Sequence, residues 1–293
     1  MALMAAQAPD PAITAFAGEL AGDHPGALAV LFYGSNRRTG SLDGVLDFYI
    51  LTDGPGESGI WPRVGYREWT RGPAALRAKI AVMTLAKFAQ AAAGDSRDTT
   101  VWARFVQPAS LLWHRDAAAR ERTLDALEQA VCTAARLAVA LGPAAGQERA
   151  YWSALFRETY RAEFRVEAPG RENSILDLNV AHFDGLLPLA MTALGIAYTQ
   201  ENGLLRPAMS QDARAATLRW WRRRRRLGKA LNIARLVKAA RTFDGAARYA
   251  AWKVERHTGL AVEVTPWRER HPILAAPGVL FSLWRARRGR TGG

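Results

Sequence analysis

The chain has 293 residues, 49% hydrophobic and 23% charged, which describes a globular protein able to bury one large core or two modest ones and excludes a disordered chain. Its single cysteine, Cys132, excludes an internal disulfide framework and any cysteine-based metal site. The net charge of +13 is segregated: residues 1–150 carry 15 basic and 15 acidic side chains, whereas residues 206–293 carry 21 basic and 5 acidic, a composition that attracts polyanionic surfaces.

Residues 1–10 lack the basic start and long apolar run of a signal peptide, and no apolar run reaches the roughly 18–20 residues of a membrane span. Residues 26–33 (GALAVLFY) and 45–51 (VLDFYIL) are apolar runs rich in β-formers and bounded by turn residues, and both predict buried strands. Residues 74–93 read as helix, or as strand followed by helix. Residues 99–113 suggest a pair of strands, around 101–106 and 110–113. In 117–141, Leu124, Leu127, Val131, Ala134, Ala138 and Leu141 recur at helical spacing, and Gly142-Pro143 stops the helix. After Gln147 the pattern is mostly helical, with breaks at Ala168-Pro169-Gly170 and near Asn202-Gly203. The expected division is 1–117, 118–210 and 211–293, set by the change from mixed to helical pattern and then by the rise in basic charge.

The first two strands carry the chemistry. One delivers Gly34-Ser35, and the other presents Asp47 twelve residues after Ser35. Glycine lets the backbone approach a triphosphate closely, while a serine hydroxyl and neighbouring N–H groups bond phosphate oxygens. A carboxylate on the adjacent strand can hold Mg²⁺, which neutralises and orients the phosphates. This ordered set points to a nucleotidyltransferase. A second acid is usual two residues after the first, and that position here is Tyr49; Asp43 and Asp53 are the nearby alternatives. Lys79 and Arg104 are basic residues on expected strands and candidates for triphosphate binding. His182 reads as a packing residue, since no second histidine sits at ligand spacing. In the basic region, Trp220-Trp221 precede five arginines, 222–226, too many to pair internally. Beyond them Ile233, Leu236, Val237, Ala240, Phe243 and Ala247 recur at helical spacing among Arg235, Lys238, Arg241 and Arg248. Such a basic amphipathic helix suits an anionic membrane surface, and its composition also suits RNA.

Over about residues 25–258 the sequence resembles the mitochondrial-type phosphatidate cytidylyltransferases, the mitochondrial translocator assembly and maintenance family, as a bacterial member. The likeness runs in order through Tyr33-Gly34-Ser35, Leu46-Asp47-Phe48, the turn at Asp53, Lys79-Ile80-Ala81-Val82, Ala103-Arg104 with Pro108, and Tyr160 to Arg165 with Glu163 for the family's Asp. It continues through Asn179 to Phe183 and then Lys238, Thr242 to Gly245, Tyr249 and Lys253. The resemblance implies an α+β fold: a nucleotidyltransferase domain, a mostly helical, winged-helix-like domain and a basic C-terminal amphipathic helix. It implies that CTP and phosphatidate give CDP-diacylglycerol and pyrophosphate with Mg²⁺, in phospholipid biosynthesis. The protein would lie on the cytoplasmic face of the bacterial inner membrane, with no nucleic-acid partner. The implied roles are Asp47, with Asp43, for metal; Asp53 and Glu163 as further catalytic carboxylates; Gly34, Ser35, Lys79 and Arg104 for the triphosphate; and Lys238 and Lys253 for the lipid phosphate. The competing expectations are a transferase with another small-molecule acceptor, and a noncatalytic RNA-binding module on a degenerate scaffold, which Tyr49 favours.

Overall fold

The computed structural model describes residues 10–59, 62–71, 74–162, 171–242, 245–258 and 262–270. The chain is α+β. Strand β1 (Ala27–Tyr33) runs antiparallel to β2 (Leu46–Thr52), with Tyr33 opposite Asp47. Strand β3 (Arg63–Arg71) pairs antiparallel with β4 (Ala74–Thr84), and β4 lies parallel to β2 with Lys79 beside Asp47. Strand β5 (Ser110–His114) covers the other side of β1, so the sheet order is β3-β4-β2-β1-β5. β2 is central and covered on both faces, which is why it reads as a nearly continuous apolar run.

Alternation along the strands sends side chains to two cores. Phe32, Phe48, Ile50, Ile80 and Val82 face helix α1 (Pro11–Gly22), which supplies Ile13, Phe16, Ala17 and Leu20. Asp10 caps α1 by accepting the Ala12 N–H at 2.8 Å, and Pro11 opens it. Phe16 stacks on Trp69 at 5.3 Å, and the Trp69 indole donates to Glu19. Leu31, Tyr49, Leu51, Ala81 and Met83 face the other way, toward the later helices.

Helix α2 (Ser35–Thr39) follows β1 directly, and α3 (Leu85–Ala92) continues from β4, so residues 74–93 are strand plus helix. The strand expected at 101–106 is helix α4 (Thr100–Phe105). The Asp98 carboxylate accepts from the N–H and hydroxyl of Thr100 at 2.8 Å and starts the turn. Val101, Trp102, Ala103 and Phe105 are all buried, so this short helix shows no amphipathic period and resembles a strand in sequence. Arg104 therefore stands on a helix, not a strand.

Helix α5 (Ala117–Leu141) has the expected bounds; its Ala126, Ala130, Ala134 and Ala138 allow close packing, and Thr133 donates to the Ala92 carbonyl at 2.8 Å. Helices α6 (Glu148–Ala162), α7 (Arg171–Leu178), α8 (Val180–Phe183) and α9 (Leu186–Ala193) follow. A hairpin of β6 (Tyr198–Glu201) and β7 (Leu204–Pro207) turns at Asn202-Gly203, both at positive φ. The sheet face opposite α1 and these helices share one apolar core, which runs from Leu28 to Trp221 across residue 117.

Helix α10 (Gln211–Thr242) is 32 residues long; α11 (Ala246–Thr258) and α12 (Pro266–Arg270) complete the described chain. The arginine run is not uniformly solvated. Arg224 donates to the carbonyls of Gly94 (2.6 Å) and Ser96 (3.1 Å) and lies 4.2 Å from the centre of the Trp220 ring, while Arg225 pairs with Glu158 at 3.0 Å. Arg214 closes the end of α5 by donating to the carbonyls of Ala140 and Gly142. The first half of α10 is thus fastened to the core. Among the described residues, no helix is long and apolar enough to cross a membrane.

Candidate active site

Tyr33, Asp47, Lys79 and Tyr66 are successive register partners across β1, β2, β4 and β3. Partners in register share a face, so the four form one row across the sheet on the face opposite α1. At one end of the row the chain leaves β1 through Gly34, at φ 92°. A β-carbon there would stand 2.7 Å from Asp47 Oδ2, so glycine is required both by the backbone and by the carboxylate against it. Ser35 opens α2 and is exposed; its hydroxyl makes a long contact of 3.4 Å with the Asn36 side chain. Buried Asn36 donates to the carbonyls of Ser41 (3.0 Å) and Asp43 (2.7 Å), which fixes the loop leading into β2.

The strongest charges acting on Asp47 are all positive: Lys79 beside it on β4, Arg104 from α4 and Arg38 from α2. Burial nevertheless dominates and pushes the Asp47 carboxyl above its ordinary value. Arg104 lies 5.3 Å from the centre of the Tyr33 ring and donates to the Tyr49 hydroxyl at 3.3 Å. Tyr49 is fully buried among Tyr33, Phe88 and Phe105. The position that would carry a second acid is therefore an aromatic anchor for a cation. Burial also raises the Tyr33 phenol well above its usual value, which keeps it protonated.

The structure brings Gly34, Asp47, Lys79 and Arg104 together, with Ser35 beginning the next turn. Asp53 is not with them. It follows the far end of β2, six residues along the strand, about 20 Å from Asp47. There its N–H donates to the Gly26 carbonyl at 2.8 Å and its carboxylate pairs with Arg115 at 3.5 Å. Asp43 is exposed in the loop before β2. Glu163 lies outside the described residues. Lys238 is half-buried on α10, whereas Lys253 belongs to α11 with its side chain outside the described residues. His182 is a packing residue, as expected: Nε2–H donates to the Val106 carbonyl at 2.9 Å, and burial lowers its pKa. Arg38 escaped the sequence reading; its only signal was the Arg-Arg pair soon after Gly-Ser.

Among the described residues, no three His, Cys, Asp or Glu side chains gather as a metal site. Among the described residues, one carboxylate stands among three cations, a set that could hold Mg²⁺ between Asp47 and substrate phosphates. No protein-family model matches the chain, and no curated protein matches it. Among solved structures, the chain matches a nucleotidyltransferase-like protein from Exiguobacterium sibiricum 255-15 at 12% identity, over 94% of this chain and 90% of that one, with a TM-score of 0.28. The likeness is too slight to bear on activity.

The raised Asp47 pKa has a consequence for stability. The native state binds this proton more tightly than the unfolded chain, so ionised Asp47 costs stability at neutral pH. That cost develops as pH rises from the unfolded value, about 3.9, through the raised native one. Asp47→Asn is therefore expected to raise Tm at pH 7, with the advantage vanishing below pH ~3.9. A lower Tm at pH 7 would mean that the carboxylate stabilises the fold by neutralising its three cations.

Proposed function

We propose that the chain is a nucleotidyltransferase that transfers the cytidylyl group of CTP to phosphatidate at an anionic membrane surface. The observation that carries this reading is Asp47, pressed against Gly34 and ringed by Lys79, Arg104 and Arg38. Such a net-positive site, with one carboxylate and a glycine that admits close backbone approach, suits a triphosphate. In the reaction, a phosphatidate oxygen forms a bond to the α-phosphorus while the bond to the bridging oxygen breaks, and pyrophosphate leaves with the electron pair. The acceptor is already anionic, so little general-base work is needed and catalysis is positioning plus charge neutralisation. Lys79, Arg104 and Arg38 would neutralise the phosphates, and Tyr33 would remain a donor. Mg²⁺ held by Asp47 would neutralise and orient the phosphates further.

The test incubates purified protein with Mg²⁺, each of four triphosphates labelled at the α-phosphate, and phosphatidate vesicles. Label is expected in the lipid fraction with CTP alone, and its absence with every triphosphate overturns the lipid reading. Tyr49 favours a second reading, a noncatalytic triphosphate binder, because the usual second acid is replaced by a buried phenol. That reading expects triphosphate binding without transfer to any acceptor.

A further inference from the structure

The far end of the row is closed by the basic C-terminal region. Gly245, at φ 76°, starts the turn into α11 so close to β3 that a β-carbon on it would stand 2.9 Å from the Tyr66 carbonyl oxygen. One turn later the Tyr249 ring packs on the Tyr66 ring, with centres 5.5 Å apart. Trp252 stacks on Tyr249 at 6.3 Å and receives Arg77 of β4 5.6 Å from its ring centre. The Tyr66 hydroxyl is directed along its own strand, where it donates to Glu68 at 2.9 Å. This arrangement fastens the helix to β3 and β4 and sets Tyr249 beside the strand neighbouring Lys79.

We propose that α11 is a wall of the active site and that the Tyr249 hydroxyl contacts a substrate phosphate lying along the row from Gly34 past Lys79. The inference rests on the nucleotidyltransferase reading. Tyr66 lies two strands from Asp47, about 10 Å across the sheet at the usual spacing, with Lys79 between them. A phosphate chain bound over Lys79 spans that interval, with Asp47 and Arg38 at one end and Tyr249 at the other. The Asp47 charge reaches Tyr249: burial first, and then that charge, raises the phenol pKa. Tyr249 therefore stays protonated at neutral pH and faces an anion as a donor. Two sources can supply that anion, the triphosphate or the acceptor phosphate.

Tyr249→Phe in the full-length chain keeps the ring against Tyr66 and Trp252 and removes only the oxygen. Affinities for CTP and for inorganic tripolyphosphate are measured by competition, alongside kcat and KM for phosphatidate. A lost hydrogen bond to a charged group corresponds to at least about a tenfold loss of affinity. With Tm measured to check that the fold is kept, a loss of that size is expected for CTP and tripolyphosphate together, or in the KM for phosphatidate; which one falls identifies the source. Wild-type values in both arms would overturn the inference and leave Tyr249 a packing residue. Should the wild-type protein bind CTP yet transfer nothing to lipid, the proposed function fails while the affinity arm still judges Tyr249.

Discussion

Asp47→Asn is expected to reduce nucleotidyl transfer by about a hundredfold or more while leaving the protein folded. The carboxylate presses against Gly34 and, among the described residues, is the acid that the structure brings together with Lys79, Arg38 and Arg104. Amide for carboxylate preserves the shape, so Gly34 and its turn need not move. What disappears is the negative charge able to hold a cation between the protein and a triphosphate, in a site otherwise positive. Ser35→Ala in the same assay is expected to cost only about fivefold, because one neutral hydroxyl is a small contribution and the backbone N–H groups remain. The exposure of Ser35 and its long contact with Asn36 agree with that order. Near-wild-type turnover of the Asp47→Asn protein at saturating Mg²⁺ would remove Asp47 from the metal role. A greater loss at Ser35 would shift the main contribution to the loop.

The centre of the site was legible because β1 and β2 are apolar runs that end in chemistry: glycine and serine after one, an aspartate near the start of the other. Lys79 was legible as a basic residue at the onset of an apolar stretch. Asp53 misled because it lies near Asp47 in sequence, yet six residues of extended strand carry it to the opposite end of β2. Arg104 was found for its charge but placed on a strand, since a helix buried all round has no visible period. The cover that α1 gives the second face escaped notice because the helix is short and rich in alanine. The resemblance pointed to the α11 segment through Tyr249 and Lys253, but its packing on β3 was not legible, because that contact depends on the Gly245 turn and on an edge strand whose charged residues hid it from an apolar reading. The basic C-terminal region therefore combines a fastened stem, a wall beside the candidate site and an exposed cationic face.

Charge reversal of that face, as Arg219→Glu, Arg222→Glu, Arg223→Glu and Arg226→Glu together, is expected to abolish cosedimentation with phosphatidate-containing vesicles. The four arginines are exposed and recur at i, i+3, i+4 and i+7, so they form one stripe on α10. Ile233, 54% exposed, continues the same stripe a further i+7 along, and Leu227, 38% exposed, flanks it. A basic stripe with apolar residues at its end suits an anionic interface with shallow insertion. Each arginine near such a surface is worth on the order of 1 kcal/mol, so four amount to about a thousandfold in binding, weakened by salt. The substitutions spare Arg214, Arg224 and Arg225, which hold core carbonyls and Glu158, so Tm is expected to stay near wild type. They also spare the Asp47 row, so CTP affinity should persist. This choice is cleaner than deleting residues 230–293, which would remove α11 from beside the candidate site together with the charge. Tight RNA binding by the wild-type protein, without preference for anionic vesicles at low salt, would assign the stripe to nucleic acid and sink the membrane reading. Retained vesicle binding by the reversed protein would move the lipid contact elsewhere on the chain.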